Sequence, residues 1–179
     1  MEIEVNRIYE DVRTEGPNQG VMTTFVKLGT GRSYTTLEEL VTDLYPNIKT
    51  SWICFCGEDT TRIGMGELVK ALKSMHWSVE IIYDGKYRDP GWFNTVDIWT
   101  VDYVPDSKFA IARLRPKDCL RFKVPDIVKP ERLIDSMNSV GVSSALRVVS
   151  LKEGLDLNSP DIFTLLYRQE RLRVCRRQE

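Results

Sequence analysis

Strand-like apolar runs separated by helix-patterned segments set the strongest limit on what this chain can fold into. SWICFC at 51–56 is followed by GELVKALKSM at 66–75, where Leu68, Val69, Leu72 and Met75 recur at helical spacing, and then by VEIIY at 79–83. A buried strand, an amphipathic helix and a second buried strand in that order form a βαβ unit. The pattern continues on both sides. EIEVNRIY at 2–9 and VMTTFVKL at 21–28 read as strands joined by a turn at EGPNQG, and Thr36 caps a short helix, LEELVTDL, with Glu39 placed for a capping box. Further on, TVDIWTVDYV, LRFKV and ALRVVSL read as strands, and PERLIDSMNSV as a helix with Leu133, Ile134 and Met137 on one face. Pro160 is placed to start a C-terminal helix or helix-like tail, DIFTLLYRQERLRV. Alternation of this kind predicts an α/β domain with a mostly parallel sheet.

The chain length of 179 residues, 42% hydrophobic and 28% charged, suits a single domain over 1–179 with a sizeable core. Twenty-five basic residues against 26 acidic ones give a net charge of -1, so no global field recruits nucleic acid or an anionic membrane. No apolar run approaches the ~18 residues of a membrane span. The N-terminus also lacks the basic and apolar regions of a signal peptide, so a cytoplasmic protein is expected. The four cysteines, Cys54, Cys56, Cys119 and Cys175, form no C-x-x-C pair and read as reduced thiols, mostly in apolar runs.

In parallel α/β sheets, ligands bind outside the carboxyl ends of the strands. The Gly57-Glu58-Asp59 corner after SWICFC occupies such a position. A glycine there lets backbone approach a ligand and a carboxylate accepts its hydrogen bonds, whereas the plainer explanation is a strand-to-helix turn with acidic residues near a helix start. His76, the lone histidine, sits at a helix end and reads as a terminal cation or surface residue rather than a catalyst. Asp84 lies in a DG turn. Lys27, between Val26 and Leu28, must point to the opposite strand face, where a buried position would require an anion. Arg168, Arg171, Arg173, Arg176 and Arg177 read as the solvated face of a final helix.

The runs CGEDTT at 56–61, YDGKYRDPGWFNTVDIWTVDYVPDS, TEGPNQGVMTTFVKLG and DCLRFKVPD together resemble 7-carboxy-7-deazaguanine synthase, the QueE-like family of the radical S-adenosylmethionine enzymes in queuosine biosynthesis. The resemblance spans residues from about 5 to about 150 and implies an incomplete TIM-like barrel of mostly parallel strands. It also implies S-adenosylmethionine-site positions at Gly57, Glu58, Asp84 and Asp102, and substrate-site positions at Glu15 and Lys27. The family's Gly-Gly-Glu-Pro motif here reads Cys56-Gly57-Glu58-Asp59, its Thr-Asn-Gly reads Tyr83-Asp84-Gly85, and its Ser-Pro-Lys reads Asp102-Tyr103-Val104. Lys27 stands where the family has an arginine for the substrate carboxylate, keeping the charge and losing the bidentate fork.

One departure matters most. The family's Cys-x-x-x-Cys-x-x-Cys loop, whose thiolates hold a four-iron four-sulfur cluster, is absent, and TGRSY leads from Leu28-Gly29 directly to the Thr36 helix. The magnesium-contacting threonine of the family falls in the same missing loop. The expected protein is therefore a catalytically degenerate relative that binds or regulates, without catalytic residues or a metal, with S-adenosylmethionine as a conceivable retained ligand. A pterin- or nucleoside-like molecule, a protein partner or a second copy of the chain are the expected partners. The alternatives are an active synthase whose cluster ligands come from another chain, or a relative of the activase of anaerobic ribonucleotide reductase.

Overall fold

The computed structural model describes residues 2–86, 90–104, 111–124, 145–151 and 172–176. Contacts divide the chain into two compact, interleaved units. The first holds Met1–Arg13, Gly20–Tyr83 and Asp89–Trp99, and the second Thr14–Gln19, Asp84–Arg88 and Thr100–Glu179.

The first unit starts with the strands β1 (Ile3–Val12) and β2 (Met22–Tyr34), paired antiparallel from Val12↔Met22 to Ile3↔Tyr34. The expected hairpin is present, but β2 is longer than VMTTFVKL. It runs on through TGRSY, with Arg32, Ser33 and Tyr34 in register with Val5, Glu4 and Ile3. A register shift at Val5 accommodates the extension, and Gly31 lies so close that an added Cβ would stand 2.2 Å from the Val5 carbonyl oxygen. Helix α1 (Leu37–Leu44) follows, capped by Thr36, whose hydroxyl accepts from the Glu39 amide at 3.2 Å.

Strand β3 (Trp52–Gly57) lies parallel to β2 and to β4 (Ser78–Tyr83). Between β3 and β4 comes α2 (Met65–Ser74), which starts one turn beyond the acidic corner. Its Met65, Leu68, Val69 and Leu72 are fully buried, each worth about 1.5–3 kcal/mol of transfer free energy. The GWFNTVDIW run packs here: Trp99 stacks on Phe93 at 5.1 Å and donates its indole N–H to the Phe93 carbonyl at 2.9 Å. Trp92 fills the space in which a side chain at Gly66 would sit, its ring 2.5 Å from that Cβ position.

His76 ends α2 in the left-handed region at φ 68. Its amide donates to the Lys73 carbonyl at 3.0 Å and the Trp77 amide to that of Leu72 at 3.2 Å, which is the double bond pattern of a Schellman end. The single histidine therefore serves as a helix stop.

Strand β5 (Ile98–Asp102) begins in the first unit and ends in the second, where it runs parallel to β6 (Cys119–Val124). The second unit continues with β7 (Leu146–Leu151) parallel to β6, and β8 (Leu172–Arg176) parallel to β7. The β8 strand corrects the expected helix over its last residues, since LRVCR is in register with Arg147–Leu151. A run this short fits either period, and strand pairing decides it. The PERLIDSMNSV helix and most of DIFTLLYRQERLRV lie outside the described residues. No helix among the described residues is long and apolar enough to cross a membrane. The class is α/β with mostly parallel strands, as expected.

Candidate functional site

The corner after β3 is built by close strand packing. Gly57 pairs with Leu28 across the β2–β3 ladder at φ 97, and a Cβ on it would stand 2.2 Å from the Leu28 carbonyl oxygen. That same carbonyl accepts the Glu58 amide at 3.2 Å. The glycine is thus required by backbone approach within the sheet, and the corner's N–H is already used. Asp59 adopts φ 48 and pairs with Arg62 at 3.7 Å, closing the turn toward α2. The Glu58 side chain is exposed beside Gly29. Lys27, in register with Cys56, is exposed as well, so the anion that a buried lysine would demand is not needed.

The two second-unit positions that the family resemblance implied for a cofactor, Asp84 and Asp102, differ from each other. Asp84 serves its own turn, its carboxylate accepting the Lys86 amide at 3.2 Å and pairing with the Lys86 ammonium at 3.1 Å. Gly85 is forced by proximity, because an added Cβ would lie 2.0 Å from the Asp102 carbonyl oxygen. Asp102, by contrast, is the centre of a buried charge network. Its Oδ1 accepts Arg121 Nε at 2.5 Å and its Oδ2 pairs with Lys123 Nζ at 2.5 Å. Arg121 also donates through Nη1 to Glu15 Oε1.

Glu15, Asp102 and Arg121 are each less than 10% exposed. Burial works against the Arg121 charge, but Asp102 and then Glu15 outweigh it and raise its pKa above the ordinary value. The structure therefore brings together Glu15 and Asp102 of the predicted residues and adds Arg121 and Lys123. Neither was visible as a site residue in the sequence, although an arginine and a lysine two apart inside the strand LRFKV are the signal of a strand face that is not apolar.

The first unit holds a second buried pair that the sequence reading missed. Arg13 is bidentate on Glu80, Nε to Oε2 at 3.2 Å and Nη2 to Oε1 at 2.5 Å, with side chains 2% and 0% exposed. A glutamate inside the apolar run VEIIY was its only trace.

The described residues do not fit a four-iron cluster. The stretch where the resembled family carries its cluster loop is paired strand, and it has no cysteine. Cys54 and Cys119 are buried, Cys54 shares β3 with half-buried Cys56, and Cys119 packs against Val148. Among the described residues no group of three or more His, Cys, Asp or Glu side chains is placed to hold a metal ion.

Fold and site define an α/β protein of mostly parallel strands with charged residues gathered at strand carboxyl ends. No family model matches the sequence, and no curated protein matches it. Among solved structures, the fold is similar to the crystal structure of QueE from Escherichia coli, with a TM-score of 0.73 and 12% sequence identity, over 100% of this chain and 95% of that one.

Proposed function

We propose that this chain is a binding or regulatory protein on a QueE-like frame, the incomplete barrel of the radical S-adenosylmethionine type, which has given up the radical reaction. One observation carries the reading. The segment from Thr30 to Tyr34, where thiolates would be needed, is an ordinary strand extension pinned to β1 at Ile3, Glu4 and Val5. A cluster cannot be held by that strand, and reductive cleavage of S-adenosylmethionine needs its electron. The Gly57-Glu58 corner is consistent with this, since its backbone donor is spent on Leu28. What persists is the polar equipment of a binding site, Glu15 and Asp102 around Arg121, and its natural client is a small molecule of the pterin or nucleoside kind or a partner presenting one.

The test is anaerobic reconstitution with ferrous iron and sulfide, followed by incubation with S-adenosylmethionine and a strong reductant. The expected outcome is no stoichiometric iron, no charge-transfer absorption in the visible range and no 5'-deoxyadenosine. A stoichiometric cluster, or 5'-deoxyadenosine above the protein-free control, would overturn the reading.

A further inference from the structure

Among the described strands, β1 stands at one end of the sheet and pairs with β2 alone. The direction of its peptide groups follows from the hairpin. Arg13 donates to the Val21 carbonyl at 2.9 Å and accepts from the Gly20 amide at 2.8 Å, so its backbone turns toward β2. Antiparallel pairing alternates from there. Asp11, Tyr9 and Arg7, opposite Thr23, Phe25 and Lys27, also turn toward β2, while Ile8, Glu10 and Val12 turn their N–H and C=O groups to the outer edge. The Val12 N–H is held by Asp11 Oδ1 at 2.7 Å. Ile8 and Glu10 therefore carry the donors and acceptors that a further strand would meet.

The side chains of this edge are charged in an order that complements its own reverse. Arg7, Tyr9 and Asp11 lie two apart on one face of β1. Tyr9 stacks on Phe25 at 5.1 Å and the Arg7 guanidinium lies over the Tyr9 ring at 4.5 Å, which holds both on that face, and Arg7 and Asp11 are exposed. A second β1 running antiparallel must set outward-turned residues opposite one another, and this leaves few registers. Arg7 opposite Arg7, or Glu10 opposite Glu10, opposes like charges. Ile8 opposite Ile8 sets Asp11 against Val5. With Tyr9 opposite Tyr9, Arg7 faces Asp11 of the other copy and Asp11 faces its Arg7.

We propose that the partner of this edge is a second copy of the chain, paired antiparallel through β1 about a two-fold axis at Tyr9. Ile8 and Glu10 exchange peptide hydrogen bonds with Glu10 and Ile8 of the other copy, and an Arg7–Asp11 pair closes each side of the axis. Edges protected from association carry charges that repel or a bulge that breaks the pairing. Here the register shift lies at Val5, outside the Arg7–Asp11 stretch, and the directly opposed charges within that stretch are of opposite sign. The pairing uses none of the strand-end residues and does not depend on the proposed function.

A single strand pair makes a small interface, for which a dissociation constant of about 10–100 µM is expected. Sedimentation equilibrium of the full chain across that range reads it. Arg7→Asp and Asp11→Arg, made singly, each oppose like charges on both sides of the axis and should weaken the dimer about ten-fold or more. Both side chains are exposed, so both variants should fold, and their urea midpoints check this. Mixed together, the two variants again oppose unlike charges and should form a mixed dimer about as tight as the wild type. Glu10→Pro removes an outward N–H that β2 does not use, and should also weaken pairing about ten-fold. A chain that stays monomeric through this range would leave the edge to a strand of another protein and overturn the self-pairing. A dimer indifferent to the single exchanges or to Glu10→Pro, or single variants that fail to pair when mixed, would overturn it as well.

Discussion

The two arginines buried among the described residues, one in each unit, use the same chemistry to opposite ends. Arg13 lays its fork across both oxygens of Glu80, and the pair is closed: the carboxylate has no oxygen left over. Arg121 instead divides its donors between Asp102 and Glu15, and the division leaves Glu15 Oε2 buried and open. A closed bidentate pair fixes the position of the strands it joins. An arginine that splits its fork can hold two carboxylates in place while exposing acceptor capacity to something else. The same contrast separates the Gly57-Glu58 corner, whose peptide donor is consumed by Leu28, from the Glu15–Asp102 network.

The largest effect is expected at the closed pair. Glu80→Ala takes the bidentate carboxylate away from a buried guanidinium and should cost about 3–5 kcal/mol in urea unfolding, while Glu15→Ala, which leaves Arg121 bonded to Asp102, should cost at least about 1.5 kcal/mol less. Replacing both Arg13 and Glu80 by apolar residues of similar volume should recover most of the loss. If Glu15→Ala proves as damaging as Glu80→Ala, the two arginines are equivalent and the distinction between closed and open networks is broken.

Next in size is Gly57→Ala. The new methyl group would meet the Leu28 carbonyl oxygen at 2.2 Å in a backbone conformation of φ 97, and strain and clash together should cost about 2–3 kcal/mol. Gly20→Ala is the control, since it has φ 88 but nothing within 4 Å of the added carbon, so it isolates the conformational part, about 1 kcal/mol. Equal losses at the two glycines would remove the case that Gly57 is there for β2, and return it to the list of ligand-facing positions.

These residues also show what can be read from sequence. Helix α1 matched LEELVTDL residue for residue because its signals are local: Thr36 and Glu39 lie within one turn of the cap they make. The strands SWICFC and VEIIY were legible because an apolar run of that length is itself the signal. The extension of β2 was not, since TGRSY has loop composition and becomes strand through pairing with residues near the N-terminus. The charge networks were hidden for the same reason, at greater distance. Glu80 and Arg13 are 67 residues apart and Arg121 and Glu15 are 106 apart, and a charge in a strand announces that it needs a partner without saying which. Gly57 was noticed for the right property, close backbone approach, but the approaching group is the protein's own strand.

The smallest effect is expected at the end of the β2 extension. Tyr34 is 1% exposed and its hydroxyl donates to Asp43 Oδ2, a carboxylate that keeps Arg32 on its other oxygen at 2.8 Å. At neutral pH, Tyr34→Phe should cost about 1 kcal/mol, the net value of one hydrogen bond. Alkali enlarges the difference in a defined direction. Burial, followed by the hydrogen bond to Asp43 and its charge, pushes the Tyr34 pKa from 10.0 up to about 12. The folded state therefore favours the protonated phenol. Its stabilising contribution is fully present below pH 10 and is lost as pH rises toward about 12, because the unfolded chain ionises first. Phenolate absorbance against pH should show a late-titrating component that Tyr34→Phe removes, and urea midpoints of the wild type should fall over this window more steeply than those of Tyr34→Phe. Parallel curves for the two proteins would mean that the hydroxyl is not held by Asp43, and that the end of the β2 extension is not closed in the way the first unit's other polar contacts are.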